Sequence, residues 1–201
     1  LQLCGEEDDA NEIVTRRDAA MLLHAILTRA FAVTAPAAPV TLVNAADVNI
    51  NDYLLELRQV PEPMLAAFEV AGWTYRIDFD YISKLSKQLN MSCIGATNYS
   101  QKTIYLSDSS ATLHEFGHFL DWQLGFPAEH EQLFRVEAAA APLRDYAKTN
   151  AREYFADCFA YCIIHGNDSE MMESLRKNAP QTCTYFEKLG KGGWSRDIHA
   201  K

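Results

Sequence analysis

Two histidines four residues apart, in His114-Glu115-Phe116-Gly117-His118, constrain this chain more than any other stretch of it. Side chains at i and i+4 lie on one face only when the backbone is helical, their Cβ atoms then roughly 5–6 Å apart. If both imidazoles hold one ion, residues around 112–121 must form a helix. Glu115 then stands beside the ion, where its carboxylate can take a proton from a water. A catalytic zinc site uses three protein donors and keeps one position open, so a third donor must come from an element packed on this helix. The stretch Asn150-Ala-Arg-Glu-Tyr-Phe-Ala-Asp157 offers one. Glu153 follows His118 by 35 residues, and Asp157 shares its helix face at i+4. Bound through Glu153, such a helix lets Asp157 reach the outward nitrogen of a ligand histidine and fix its tautomer. Glu129, His130, Glu131 and Glu137, on a predicted helix between the two motifs, are weaker alternatives because they have no acid partner one turn on.

His-Glu-x-x-His followed by Glu-x-x-x-Asp is the gluzincin pattern. The longer stretches His-Glu-Phe-Gly-His-Phe-Leu-Asp and Asn-Ala-Arg-Glu-Tyr-Phe-Ala-Asp-Cys-Phe-Ala resemble the catalytic domain of anthrax lethal factor and its relatives, the bacterial Pro-Pro endopeptidases, over residues 62–165. The resemblance implies an α+β fold, a mostly helical zincin-like domain with a small mixed sheet whose edge strand borders the active-site cleft. It implies one zinc ion on His114, His118 and Glu153, with Glu115 as general base. It also implies a secreted bacterial endopeptidase that cuts extended, proline-containing protein segments with a zinc-activated water. Members of the group carry a Tyr seven residues before the glutamate ligand, and here that residue is Tyr146. Its implied role is to donate a hydrogen bond to the oxyanion, which a phenol with a pKa near ~10 can do at neutral pH. Asp157 stands where these relatives more often have Glu.

Charge narrows the partners. A net charge of −9 and a pI of about 5.1 disfavour nucleic acid and anionic membrane surfaces, and admit a neutral or basic peptide. The apolar region near the N-terminus is broken at Pro36 and Pro39, so no membrane span is expected. At 201 residues and 48% hydrophobic, the chain can bury one core. We expect a monomeric metallopeptidase domain over 1–201, its N-terminal helical lobe near 12–70 and its catalytic part near 71–190. A start at Leu1 fits a processed form, and Leu3 before Cys4 is not the small residue that lipoprotein cleavage requires. Five cysteines, Cys4, Cys93, Cys158, Cys162 and Cys183, leave at least one unpaired within a monomer. Cys158 and Cys162 alternate with apolar residues and read as small core side chains, although a bridge from Cys183 to either stays open.

Along the chain, Thr15-Arg-Arg-Asp18 opens a predicted helix that includes His24, and the same segment partly matches an S-layer homology repeat. A short strand near 40–43 leads to helices from Asp52 and from Pro61, the second reaching Gly72. Period-two alternation marks a strand over 73–79, Asp80 is the expected cap of the next helix, and Gly95 marks a turn region. Thr103, Ile104, Tyr105 and Leu106 form a strand running into the His-Glu-x-x-His helix, with Ser109 and Ser110 as its caps. We expect that strand to be the sheet edge that binds a peptide as an added strand. A helix over 128–141 closes at Pro142, and short helices follow from Gly166 and from Pro180. Asp121 is a candidate supporting acid or a solvated one. Two other function classes fit parts of the sequence: a catalytically silent pseudopeptidase that binds peptides in the same cleft, and a cell-wall-associated interaction protein resting on the S-layer-like segment.

Overall fold

The computed structural model describes residues 38–195. The expected helix from Thr15, the S-layer-like segment, His24 and Cys4 lie outside the described residues. Within them the elements run β1 (Leu42–Asn44), α1 (Asn51–Leu57), α2 (Glu62–Val70), β2 (Thr74–Ile77), α3 (Phe79–Leu89), β3 (Gly95–Asn98) and β4 (Thr103–Leu106). A 3-10 turn at Ser109–Ala111 then leads into α4 (Thr112–Leu124), followed by α5 (Ala128–Glu137), a second 3-10 turn at Asp145–Lys148, α6 (Ala151–His165), α7 (Ser169–Asn178) and α8 (Pro180–Lys191). The architecture is α+β, helices around one small mixed sheet.

The sheet order is β1-β2-β4-β3. β1, β2 and β4 are parallel, with Tyr75 opposite Leu42 and Ile104, whereas β3 runs antiparallel to β4 and pairs Gly95 with Leu106 and Asn98 with Thr103. This corrects the expectation for Thr103, Ile104, Tyr105 and Leu106. β4 is hydrogen-bonded on both sides and all four residues are buried, as a near-continuous apolar run in a covered interior strand should be. The outer strand is β3, whose sequence Gly-Ala-Thr-Asn carries almost none of the β-branched or aromatic alternation that marks a strand.

The helix that carries the histidines is the centre of the molecule. Nine of its residues, from Thr112 to Asp121, are buried, because one side packs on the sheet and α2 and the other on α6. On the sheet side Phe116 and Phe119 meet Phe68 at ring-centroid distances of 5.0 and 5.1 Å, and Trp73 meets Phe119 at 5.3 Å and Trp122 at 5.1 Å. Such aromatic pairs stabilise beyond their buried area, by about 0.5–1.5 kcal/mol each. On the other side Gly117 is required. A Cβ there would lie 2.6 Å from Ala156 Cα of α6, so only glycine allows the two backbones to cross this closely.

The ends of the helices depart from expectation in small ways that have local causes. Asp78, two residues before the expected Asp80, caps α3 by accepting from the Tyr81 amide at 2.9 Å. Asp108, not Ser109 or Ser110, accepts from the Ser110 amide and starts the turn into α4, which opens with no side-chain cap of its own. α5 stops at Glu137, not 141. The buried Glu137 carboxylate accepts instead from the amides of Gln181 and Thr182 at 2.9 and 2.8 Å, serving as the missing cap of α8. Cys93, Cys158, Cys162 and Cys183 are all free thiols, and Cys158 and Cys183 are buried in the core.

Candidate metal centre

Asn150 builds the second half of the site. Its side chain accepts from the amides of Arg152 and Glu153 at 3.0 and 3.1 Å, so α6 begins with Glu153 in its first turn. The close crossing at Gly117 and Ala156 then sets that turn against the first turn of α4. His114 Nε2 lies 3.1 Å from His118 Nε2 and 3.0 Å from Glu153 Oε2, and His118 Nε2 lies 3.4 Å from the same oxygen. The three residues offer ligand atoms all within 4.8 Å of one another. Glu153 Oε2 is buried and no well-aligned donor reaches it. The three atoms aim at a common point more than at each other.

The charges agree with a cation at that point. Burial lowers the proton affinity of His114, but the Asp157 and Glu153 carboxylates outweigh it and raise the pKa to about 9. Burial alone would raise Glu153 and Asp157, yet each is held below the usual carboxylate range, Glu153 by the two histidines and Asp157 by His114 and Arg144. The carboxylates that favour positive charge on His114 would also favour a dication at that point. Two imidazole nitrogens and one carboxylate oxygen, with room for a fourth partner, form a donor set that suits zinc.

Asp157 lies on the far side of His114, its Oδ1 2.6 Å from Nδ1. It is itself clamped by Arg144, whose Nε donates to Oδ2 at 2.6 Å and Nη2 to Oδ1 at 2.7 Å. The guanidinium also sits 5.3 Å from the Tyr146 ring, so the loop that carries Tyr146 is tied to the same carboxylate. Tyr146 is 39% exposed, with its ring 6.2 Å from that of His114. Burial, helped by Glu153 and Glu115, pushes its phenol up to about 12.

Glu115 is buried against the edge strand. Thr97 Oγ1 donates to Glu115 Oε2 at 2.6 Å. A Cβ at Gly95 would come within 2.5 Å of Oε1, so the glycine makes the space that this oxygen occupies. His114, Glu115 and Tyr146 line two adjoining hollows of one cleft. One, about 470 Å³, extends past Ile94, Leu143, Arg144 and Ile164. The other, about 570 Å³, extends past Thr97, Tyr99, Asn150, Arg152 and Glu153.

Among the residues singled out in the sequence, His114, Glu115, His118, Tyr146, Glu153 and Asp157 thus gather at one cleft, whereas Thr103–Leu106 lie one strand behind it. Asp121 is neither solvated nor beside the ligand histidines. It is buried and meets His130 Nδ1 at 2.7 Å, and His130 Nε2 meets the Tyr185 hydroxyl at 2.7 Å. His130 is thereby committed elsewhere, as is Glu131, whose carboxylate accepts from Arg135 at 3.1 Å. Sequence reasoning did not find Arg144, Thr97 or Gly95. Arg144 and Gly95 sit in or beside turns without periodicity, and a threonine in a four-residue strand carries no signal before its partner is known.

Comparisons with known proteins bear on the family and the fold. Residues 74–189 match the family described as anthrax toxin lethal factor, N- and C-terminal domain. Over 92 residues, 40% of this chain, the sequence is 31% identical to lethal factor of Bacillus anthracis and spans only 11% of that protein. Among solved structures, the PRO-PRO endopeptidase PPEP-2 from Paenibacillus alvei shares the fold at a TM-score of 0.54 and 16% identity, over 74% of this chain and 96% of that one.

Proposed function

Because this chain belongs to the anthrax toxin lethal factor family, matched over residues 74–189, we propose that it is a secreted, monomeric zinc metalloendopeptidase that cuts extended, proline-containing protein segments. The observation that carries the reading is the convergence of His114, His118 and Glu153 ligand atoms within 4.8 Å of one another, in a cleft that Glu115 and Tyr146 also line.

His114, His118 and Glu153 would hold the ion. When bound, zinc supplies Lewis acidity, polarising a carbonyl and lowering the pKa of a water. Glu115 takes the proton of the attacking water and passes it to the leaving nitrogen. The hydroxyl of Thr97 fixes one of its oxygens at 2.6 Å, and the missing side chain at Gly95 leaves the other unobstructed. Tyr146, with its pKa pushed up to about 12, keeps its proton at neutral pH and donates to the oxyanion. Asp157 accepts from His114 Nδ1–H and so keeps the lone pair on Nε2.

The outer backbone edge of β3 has no strand partner among the described residues, which supports binding of a peptide there as an added strand. Exposed Met91, Ile94 and Ile164 along the cleft, together with the likeness in fold to a Pro-Pro endopeptidase, support proline-containing substrates.

The test is cleavage of a proline-rich peptide library, read by mass spectrometry, with zinc assayed in both the wild type and Glu115→Ala. Cuts by the wild type alone at equal zinc content are the expected result. Absence of zinc from the purified wild type would sink the reading.

A further inference from the structure

We propose that Arg152, held by Tyr99 and Phe126, forms a subsite that takes an acidic side chain of the bound peptide on the Tyr99 side of the scissile bond; this rests on the peptidase reading above. Arg152 directly precedes Glu153 and lines the hollow on that side of the cleft. Its guanidinium lies 4.4 Å from the Phe126 ring centre and 5.6 Å from that of Tyr99, and the two rings meet edge to face at 5.3 Å. Because the two rings are perpendicular, they hold the guanidinium by cation–π attraction and not as a stack on both faces, and neither offers a carboxylate, so its N–H donors stay available for one.

Among the described residues those donors have no hydrogen-bond partner. Arg76, Arg135, Arg144 and Arg176 each pair with an acid, whereas no carboxylate of the described residues reaches Arg152. The acids that line the same hollow are engaged elsewhere: Glu131 with Arg135, Glu115 with Thr97, and Glu153 with the histidine pair. The contrast with the other hollow is direct. There Arg144 spends its charge on Asp157, so an acidic residue is selected on one side of the cut only. With a net charge of −9 the chain as a whole disfavours an acidic peptide, so an unpaired guanidinium lining the cleft is an address for one position of the substrate.

The experiment uses fluorescent peptides with a central Pro-Pro pair, each flanking position carrying Glu, Gln or Lys in turn. Binding to zinc-loaded Glu115→Ala protein is measured by anisotropy, and cleavage by the wild type in parallel. At one position on one side of the pair, Glu should bind about fivefold tighter than Gln, the ratio expected of a partly exposed ion pair. Arg152→Gln in the same background should bring that ratio to about one, Arg152→Glu should invert it in favour of Lys, and Arg152→Lys should keep part of it. A Glu-to-Gln ratio near one at every position, or one that survives Arg152→Gln, would overturn the proposal. Because binding is read without turnover, selective binding with no cleavage would count against the peptidase and leave the subsite standing.

Discussion

Glu115 is held by two residues that contribute no chemistry of their own, and each can be altered by a single methyl-sized change. Gly95→Ala would put a Cβ 2.5 Å from Oε1, and a displacement of about 1 Å in a catalytic group can cost on the order of 100-fold in rate. The expected outcome is a kcat lower by about that factor with zinc content unchanged, checked by steady-state kinetics and metal analysis on one preparation. Thr97→Val removes the donor to Oε2 and should lower kcat by about tenfold, the scale of a lost hydrogen bond to a charged group. At the metal, Asp157→Asn and Arg144→Ala both release His114 from its clamp. Each should weaken zinc binding by about 10- to 100-fold in competition with a chromogenic chelator. At this scale the sequence was readable where chemistry demands a fixed spacing, as in His114, His118, Glu153 and Asp157. It was silent for Arg144 and Thr97, whose partners are 13 and 18 residues away and are met only after folding.

Among the elements, α4 and α6 matter most because the donor set is divided between them. Gly117→Ala sets a methyl against the Ala156 backbone at 2.6 Å, where nothing flexible can move aside. Forcing the helices apart should cost about 1–3 kcal/mol, and it should also lower zinc affinity, since Glu153 withdraws from the histidines. Thermal unfolding and chelator competition on the same variant test both halves of the expectation. Glu137→Gln is the contrasting case. It weakens the cap of α8 by about 1 kcal/mol and should lower the melting temperature while zinc affinity stays as in the wild type. The helices were legible from their apolar periodicity, Pro61 and Pro180 being correct start signals. The sheet was less so. Gly95–Asn98 carries no strand pattern, and Thr103–Leu106, the stronger β sequence and the expected edge, is the interior strand.

For the molecule as a whole, zinc is expected to act as a cross-link as well as a reagent. An ion that binds only the folded chain stabilises it by about 4 kcal/mol at a free concentration 1,000 times its Kd. The melting temperature should therefore rise with buffered free zinc, and His118→Ala should abolish most of that rise. Length and composition say that the chain can bury a core but not what lies at its centre, because a helix buried on nearly all sides cannot be told from an amphipathic one until both neighbours are known. The division of the donors has one more consequence, in time instead of space. His118 leaves the ribosome 35 residues ahead of Glu153, about 2–7 s at ordinary rates of synthesis. Throughout that interval the nascent chain carries two donors and a base but not the third ligand. On the peptidase reading, the metal site of the nascent chain cannot be completed before Glu153 has been made.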